Sequence, residues 1–164
     1  MTTLIRVAKP DDCAALANIY NHYVANDIAT FEEEPVDAAI MAGRVSDVTG
    51  KSLPWLVAED SGIVLGYAYA GTWKPRTAYR YSVESTVYLD AGAKLRGIGM
   101  NLYSALIAEL RAHNIRAVIG GVSLPNEASV RLHEKMGFKK IGHFEQVGFK
   151  FGRWIDVGYW QLLL

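Results

Sequence analysis

The chain has 164 residues, 51% of them apolar, which is enough to bury a core and excludes a disordered protein. Seventeen Lys and Arg balance seventeen Asp and Glu, which argues against a general nucleic-acid binder with its net basic footprint. The single cysteine excludes an internal disulfide, and neither a secretory leader pattern nor an apolar run of membrane-spanning length is present, so a soluble, cytoplasmic, single-domain protein over residues 1–164 is expected.

In chain order, Leu4 to Ala8 reads as a short strand. Pro10-Asp11-Asp12 is expected to open a helix reaching about Asn26, with Asp as cap and dipole complement. Cys13, Leu16, Ile19, Tyr20 and Tyr23 form its apolar stripe, which makes Cys13 a core residue rather than a nucleophile. A second helix is expected from Pro35 through Ile40, Met41 and Val45. The runs Trp55–Glu59 and Ile63–Ala70 flank Asp60-Ser61-Gly62 as a hairpin. After a polar, aromatic loop over 72–80, Val83–Leu89 alternates in the strand manner. A helix from about Ile98 to His113 follows, then a buried strand over Ala117–Val122 and a helix from Glu127 to Met136 stopped by Gly137. The closing runs Lys139–Gly148 and Trp154–Leu163 are strand-like. The order β-α-α-β-β-β-α-β-α-β-β implies an α/β (α+β) class, a mixed sheet with helices on both faces.

The segment Lys94-Leu95-Arg96-Gly97-Ile98-Gly99 lies between a strand and a helix. A basic, glycine-bearing turn at a helix start offers backbone N–H groups beside the positive end of the dipole, a site for phosphate or pyrophosphate. Its glycines let the backbone approach the anion closely. The P-loop pattern is absent, and a dinucleotide fingerprint fails because Leu102 stands where its last glycine belongs.

A second element accompanies the turn: Asn126 opens a later helix that ends in Gly137-Phe138. Together the two resemble the GCN5-related N-acetyltransferase superfamily, whose acetyl-CoA pyrophosphate motif, Q/R-x-x-G-x-G/A, is matched at Lys94, Gly97 and Gly99. Lys94 replaces the usual Gln or Arg and lacks the planar fork of Arg, which bears on cofactor affinity. Longer blocks resemble the phosphinothricin N-acetyltransferases over nearly the whole chain. They include Asn21-His22-Tyr23, Thr30-Phe31, Pro54–Glu59, Gly66–Lys74, Glu84–Tyr88, Leu124-Pro125-Asn126, Ser129–Glu134, Val147–Lys150 and Asp156–Leu162.

The resemblance implies a mostly antiparallel mixed sheet, acetyl-CoA as donor and no metal. The implied acceptor is the α-amine of phosphinothricin, methionine sulfoximine or methionine sulfone, attacking directly in a ternary complex of a homodimer. The implied cofactor contacts are Val87, Tyr88 and Leu89, the turn Lys94, Leu95, Arg96, Gly97, Ile98, Gly99 and Met100, and Asn126, Ser129 and Arg131. The implied acceptor contacts are Phe31, Lys74, Arg76, Tyr79, Glu84, Thr86 and Tyr88, with Tyr88 matching a residue that relatives contribute across a dimer interface.

Acetylation of an ammonium first needs a base. Strand alternation puts Glu84, Thr86 and Tyr88 on one face, and the resemblance likewise implies Glu84 as base; the competing reading is a solvated or salt-bridged strand Glu. His133 stands where most of the superfamily carries Tyr. It is either a partner of Glu84 in base duty or a helix histidine bonded to a backbone carbonyl. Tyr103 is either an acid facing the thioester or an apolar-face aromatic in register with Leu106, Ile107 and Leu110. His22, His113 and His143 have no motif around them and are expected to be structural. The rival functions are an acetyltransferase for another small amine, a non-catalytic acyl-CoA sensor and, more distantly, a nucleotide-binding regulator.

Overall fold

The computed structural model describes residues 3–93 and 97–164. Its strands are β1 (Leu4–Val7), β2 (Trp55–Asp60), β3 (Ile63–Thr72), β4 (Ser82–Leu89), β5 (Ala117–Leu124), β6 (Lys139–Lys150) and β7 (Arg153–Leu163). Its helices are α1 (Cys13–Asn26), α2 (Ala38–Thr49), α3 (Ile98–Ala112) and α4 (Glu127–Lys135). Among the described residues the strands form one seven-stranded sheet in the order β1-β2-β3-β4-β5-β7-β6. Every pairing is antiparallel except β4 with β5.

Period-2 alternation divides the core between the two faces of this sheet. Leu56, Ala58, Ala68 and Val83 pack against Leu102, Tyr103, Leu106 and Leu110 of α3. Trp55, Val57 and Tyr67 point the other way, against Leu16, Ile19, Tyr20 and Tyr23 of α1 and Met41 of α2. Cys13 lies in this second layer, buried as its helical register implies.

Two helix starts differ from expectation. Pro10–Asp12 forms a 3-10 turn and α1 begins at Cys13. The Asp12 carboxylate takes both Arg6 Nη atoms at 2.8 Å and the Lys9 N–H at 2.6 Å, tying the turn to β1. The second helix begins at Ala38 rather than Pro35, because Asp37 caps it by accepting the Ile40 N–H at 2.8 Å. A side-chain acceptor that satisfies an orphan donor outweighs proline's preset φ.

The parallel pairing of β4 with β5 covers only Ser82–Glu84 against Ala117–Ile119. Beyond it β4 stays on β3 to Leu89, and β5 stays on β7 to Leu124. The two central strands therefore part just after Glu84, and a gap opens in the middle of the sheet.

Candidate active site

The gap is a cavity of about 530 Å³, walled by β4 from Glu84 to Leu89, by Gly121–Ser123 of β5, by one side of α4 and by Tyr23, Asp27 and Ala29. Backbone direction follows from strand geometry, in which alternate residues turn both polar groups to the same side. Asp90 donates its N–H to the Leu65 carbonyl at 2.8 Å, and the Ser82 carbonyl accepts from Trp73 at 3.2 Å, so even-numbered residues face β3. Ser85, Val87 and Leu89 consequently turn their backbone groups toward the opening. The Leu89 carbonyl there accepts the Tyr23 hydroxyl at 2.6 Å.

At one end of the opening stands the start of α3. Gly97 takes a left-handed φ of 75°, which glycine adopts without the penalty of a Cβ. Asn101 is the first residue to bond back into the helix, to the Gly97 carbonyl at 3.1 Å. The N–H groups of Ile98, Gly99 and Met100 thus have no partner within the helix and lie at its positive end. Lys94, Leu95 and Arg96, expected beside them, lie outside the described residues.

On α4, the Asn126 side chain caps the helix by accepting the Ser129 N–H at 3.2 Å. Both residues border the cavity. Arg131 does not: it is exposed, 3.7 Å from Glu127, beside a shallow groove formed with Leu124 and Pro125. The helical period turns it away from the face that carries Ser129 and His133.

Glu84 sits where the strands part, half-buried and lining the cavity. No donor or cation among the described residues closes on its carboxylate, so the salt-bridged reading does not hold. Burial pushes its pKa above the ordinary carboxylate value, against the opposing pull of Lys74. Gly121 makes the room, since a Cβ there would come 3.4 Å from Glu84 Oε1 and 3.2 Å from the Tyr159 ring.

His133 is 4% exposed. Its Nδ1 bonds the Ser129 carbonyl at 2.7 Å, and Nε2 lies 2.9 Å from the Tyr103 hydroxyl, which in turn bonds Ser85 Oγ. A carbonyl only accepts, so Nδ1 carries the proton and Nε2 accepts from Tyr103. Burial lowers the imidazole's pKa and keeps this neutral tautomer. Both ring nitrogens are therefore engaged, as in the helix-histidine reading. The ring packs on Gly120, where a Cβ would come within 2.4 Å of Nε2.

Tyr103 does not face the cavity. It is wholly buried behind Ser85 and His133, with its phenol pushed well above its ordinary pKa by burial. The helical register with Leu106 and Leu110 outweighs the thioester-facing placement.

The acceptor residues divide in the same way. Lys74 is near enough to Glu84 to act on its charge, and its Nζ stands 5.1 Å from the Trp73 ring centre. Arg76 and Tyr79 are exposed, and among the described residues their side chains make no hydrogen bond. Phe31 seats its ring on Gly148, where a Cβ would come within 2.3 Å of it. Thr86 stands opposite Tyr69 in the β3–β4 register. Tyr88, expected to reach a partner subunit, donates to the Ala29 carbonyl at 3.2 Å and packs against Tyr20, Tyr23 and Tyr67 of its own chain.

Sequence reasoning passed over Ser85, Gly121 and Tyr159. Ser85 carried a legible signal, a hydroxyl on the strand face that otherwise presents Val83, Val87 and Leu89 to the core. Gly121 and Tyr159 carried none, because they meet only across the β5–β7 register.

A family model described as the acetyltransferase (GNAT) domain matches residues 5–158. The chain belongs to the GNAT acetyltransferase family. It is 41% identical to the phosphinothricin N-acetyltransferase of Streptomyces viridochromogenes, over 96% of this chain and 85% of that one. It is 39% identical to the L-methionine sulfoximine/L-methionine sulfone acetyltransferase of Salmonella typhimurium, over 98% and 94%. The crystal structure of a GNAT phosphinothricin acetyltransferase from Sinorhizobium meliloti in complex with acetyl-CoA superposes with a TM-score of 0.97, at 40% identity over 100% of this chain and 89% of that one. The seven-stranded mixed sheet with its four helices is thus that of a GNAT N-acetyltransferase, an acyltransferase.

Proposed function

We propose that this acetyltransferase moves acetyl from acetyl-CoA to the α-amine of phosphinothricin or a similar amino acid such as methionine sulfoximine or sulfone, the amine attacking directly in a ternary complex. The observation that carries the reading is Glu84: a half-buried carboxylate, raised in pKa and without a hydrogen-bond or ion-pair partner among the described residues, at the point where the sheet opens. The named activities of the relatives, and acetyl-CoA in the Sinorhizobium structure, support the choice of donor and acceptor class.

The residues fit the donor. The N–H groups of Ile98, Gly99 and Met100 suit a pyrophosphate, the gap between β4 and β5 suits an extended chain, and Asn126 and Ser129 border its far wall. Bound there, acetyl-CoA supplies the acetyl group as an activated thioester. Glu84, its raised pKa bringing it closer to the task than an ordinary carboxylate, removes one proton from the acceptor's ammonium. The freed amine bonds the acyl carbon as the C–S bond breaks, and CoA leaves as a thiolate that takes up the second proton the amine sheds. The Val87 N–H, turned away from β3, meets charge on the acyl oxygen. His133 has both nitrogens occupied and holds α4 against β5, so base duty falls to Glu84. Lys74 supplies a positive charge for the acceptor's acidic end. No acyl-enzyme forms, since Cys13 lies buried in the α1 layer.

We read residues 1–164 as one cytoplasmic acetyltransferase unit that works as a homodimer. Ile141 and Phe144 of β6 and Trp154 of β7 are 55%, 57% and 62% exposed, and β6 is the sheet edge. An apolar sheet edge of this kind is covered in solution. A second reading, an acceptor without an acidic side chain, is favoured by one fact: only Lys74 of the expected polar contacts in the 72–80 loop acts on Glu84.

Thiol release from acetyl-CoA, measured with phosphinothricin, methionine sulfoximine, methionine sulfone and the ordinary amino acids, separates these readings. Release fastest with the first three supports the proposal, and release fastest with a neutral amino acid moves the assignment to the second reading. Binding of CoA without release with any amine points to a sensor.

A further inference from the structure

We propose that Lys150 is a positioning residue for the acceptor site, holding by its ammonium the segment that carries Ala29 and Phe31. The inference rests on the acetyltransferase reading above. Lys150 ends β6 and is 1% exposed, and among the described residues no carboxylate is in ion-pair reach of it. Its Nζ donates instead to three backbone carbonyls, those of Tyr23 at 3.2 Å, Asp27 at 2.7 Å and Thr30 at 2.8 Å. An ammonium has three donors, and each finds an acceptor.

Two of these carbonyls lie at the C-terminal end of α1, whose last turn contains no basic residue. Lys150 brings a positive charge to that negative end from a strand distant in sequence. Burying a lysine is expensive, and an exposed helix end would be satisfied by water. What the buried charge adds is a tie between β6 and the irregular connection that leaves α1.

That connection forms the rim of the cavity. Ala29 lines it and accepts the Tyr88 hydroxyl, the Thr30 hydroxyl bonds Tyr20 at 2.7 Å, and Phe31 rests on Gly148. Gly148 and Lys150 thus grip one segment from the same strand, Gly148 as an apolar seat for the Phe31 ring and Lys150 as a three-point tie to the backbone before it. Loosening the tie frees the segment that carries Ala29 and Phe31 on the α1 face of the sheet, while the start of α3 packs on the opposite face.

The test compares Lys150→Met, which keeps the stem and loses every donor, with Lys150→Gln, which keeps amide donors. The readouts are steady-state kinetics and amide hydrogen exchange. The expected result for Lys150→Met is a rise of about tenfold in KM for the acceptor, on the order of 1.4 kcal/mol. KM for acetyl-CoA stays unchanged, and faster exchange is confined to residues 27–31. Lys150→Gln falls between Lys150→Met and wild type. Equal losses toward both substrates, an unchanged acceptor KM, or failure of both variants to fold would each overturn the proposal and leave Lys150 a stabilising residue. A wild-type protein that acetylates no amino acid defeats the underlying reading, and this inference with it, before any variant is made.

Discussion

Replacing Glu84 by Gln removes the proposed base and little else, because among the described residues no donor or cation holds the Glu84 carboxylate. A positioned general base contributes about 10²–10⁴-fold. His133 offers no substitute, since Nδ1 bonds Ser129 and Nε2 bonds Tyr103. Glu84→Gln is therefore expected to lose at least about 100-fold in kcat/KM for the acceptor, with acetyl-CoA affinity unchanged. The wild-type profile of kcat/KM should rise with pH through a group above the ordinary carboxylate range, and that limb should vanish in the variant. Stability moves the other way. A carboxyl whose folded pKa exceeds its unfolded value binds more protons when folded, so it loses stability as pH rises through that interval. A neutral Gln removes this cost, and at pH 7 the variant is expected to unfold at the same or a higher temperature. The assays are thiol release across pH and thermal unfolding at fixed pH. A variant with near wild-type kcat/KM, or one that loses activity only by unfolding, would refute the reasoning.

Tyr103→Phe deprives His133 Nε2 and Ser85 of a buried partner, and denaturant titration should show a loss of about 1–3 kcal/mol. Its kcat/KM should fall less than that of Glu84→Gln, since Tyr103 does not reach the cavity. Burial holds the folded pKa of His133 below its unfolded value of about 6.5. The His133 contribution to stability is therefore complete above about pH 6.5 and lost as pH falls toward the folded pKa, an acid loss in wild-type Tm that should shrink in His133→Gln. Gly97→Ala forces a Cβ onto a left-handed residue at the start of α3, at a cost of about 1 kcal/mol. It should raise KM for acetyl-CoA more than KM for the acceptor. Trp154→Asp places a charge in the exposed apolar face of β6 and β7, and light scattering should show a shift from dimer toward monomer mass.

Local periodicity made most of the fold legible. Val83 and Val87 alternate with Glu84 and Thr86, and that pattern places the carboxylate on the face of β4 opposite the valines before any pairing is known. The stripe through Tyr103, Leu106 and Leu110 left Tyr103 between an acid facing the thioester and a core aromatic, and the structure buries it with that register. The start of α2 was misplaced although its signal was present, because Asp37 lies three residues before the N–H it caps. The split between β4 and β5 was not legible, since it is a property of where two strands stop pairing and neither strand's residues encode it alone. Lys150 was hidden for a related reason. On an edge strand exposed elsewhere except at Gly148 it resembles any solvated lysine, and its three partners are backbone carbonyls that carry no side-chain identity.

The most direct measurement is mass analysis of the small-molecule product after wild-type protein and Glu84→Gln are each incubated with acetyl-CoA and phosphinothricin. The account expects an acceptor carrying one acetyl group on its α-amine, formed by the wild type and greatly reduced with Glu84→Gln. Acetylated product formed equally by both proteins, or by neither while acetyl-CoA binds, would contradict it.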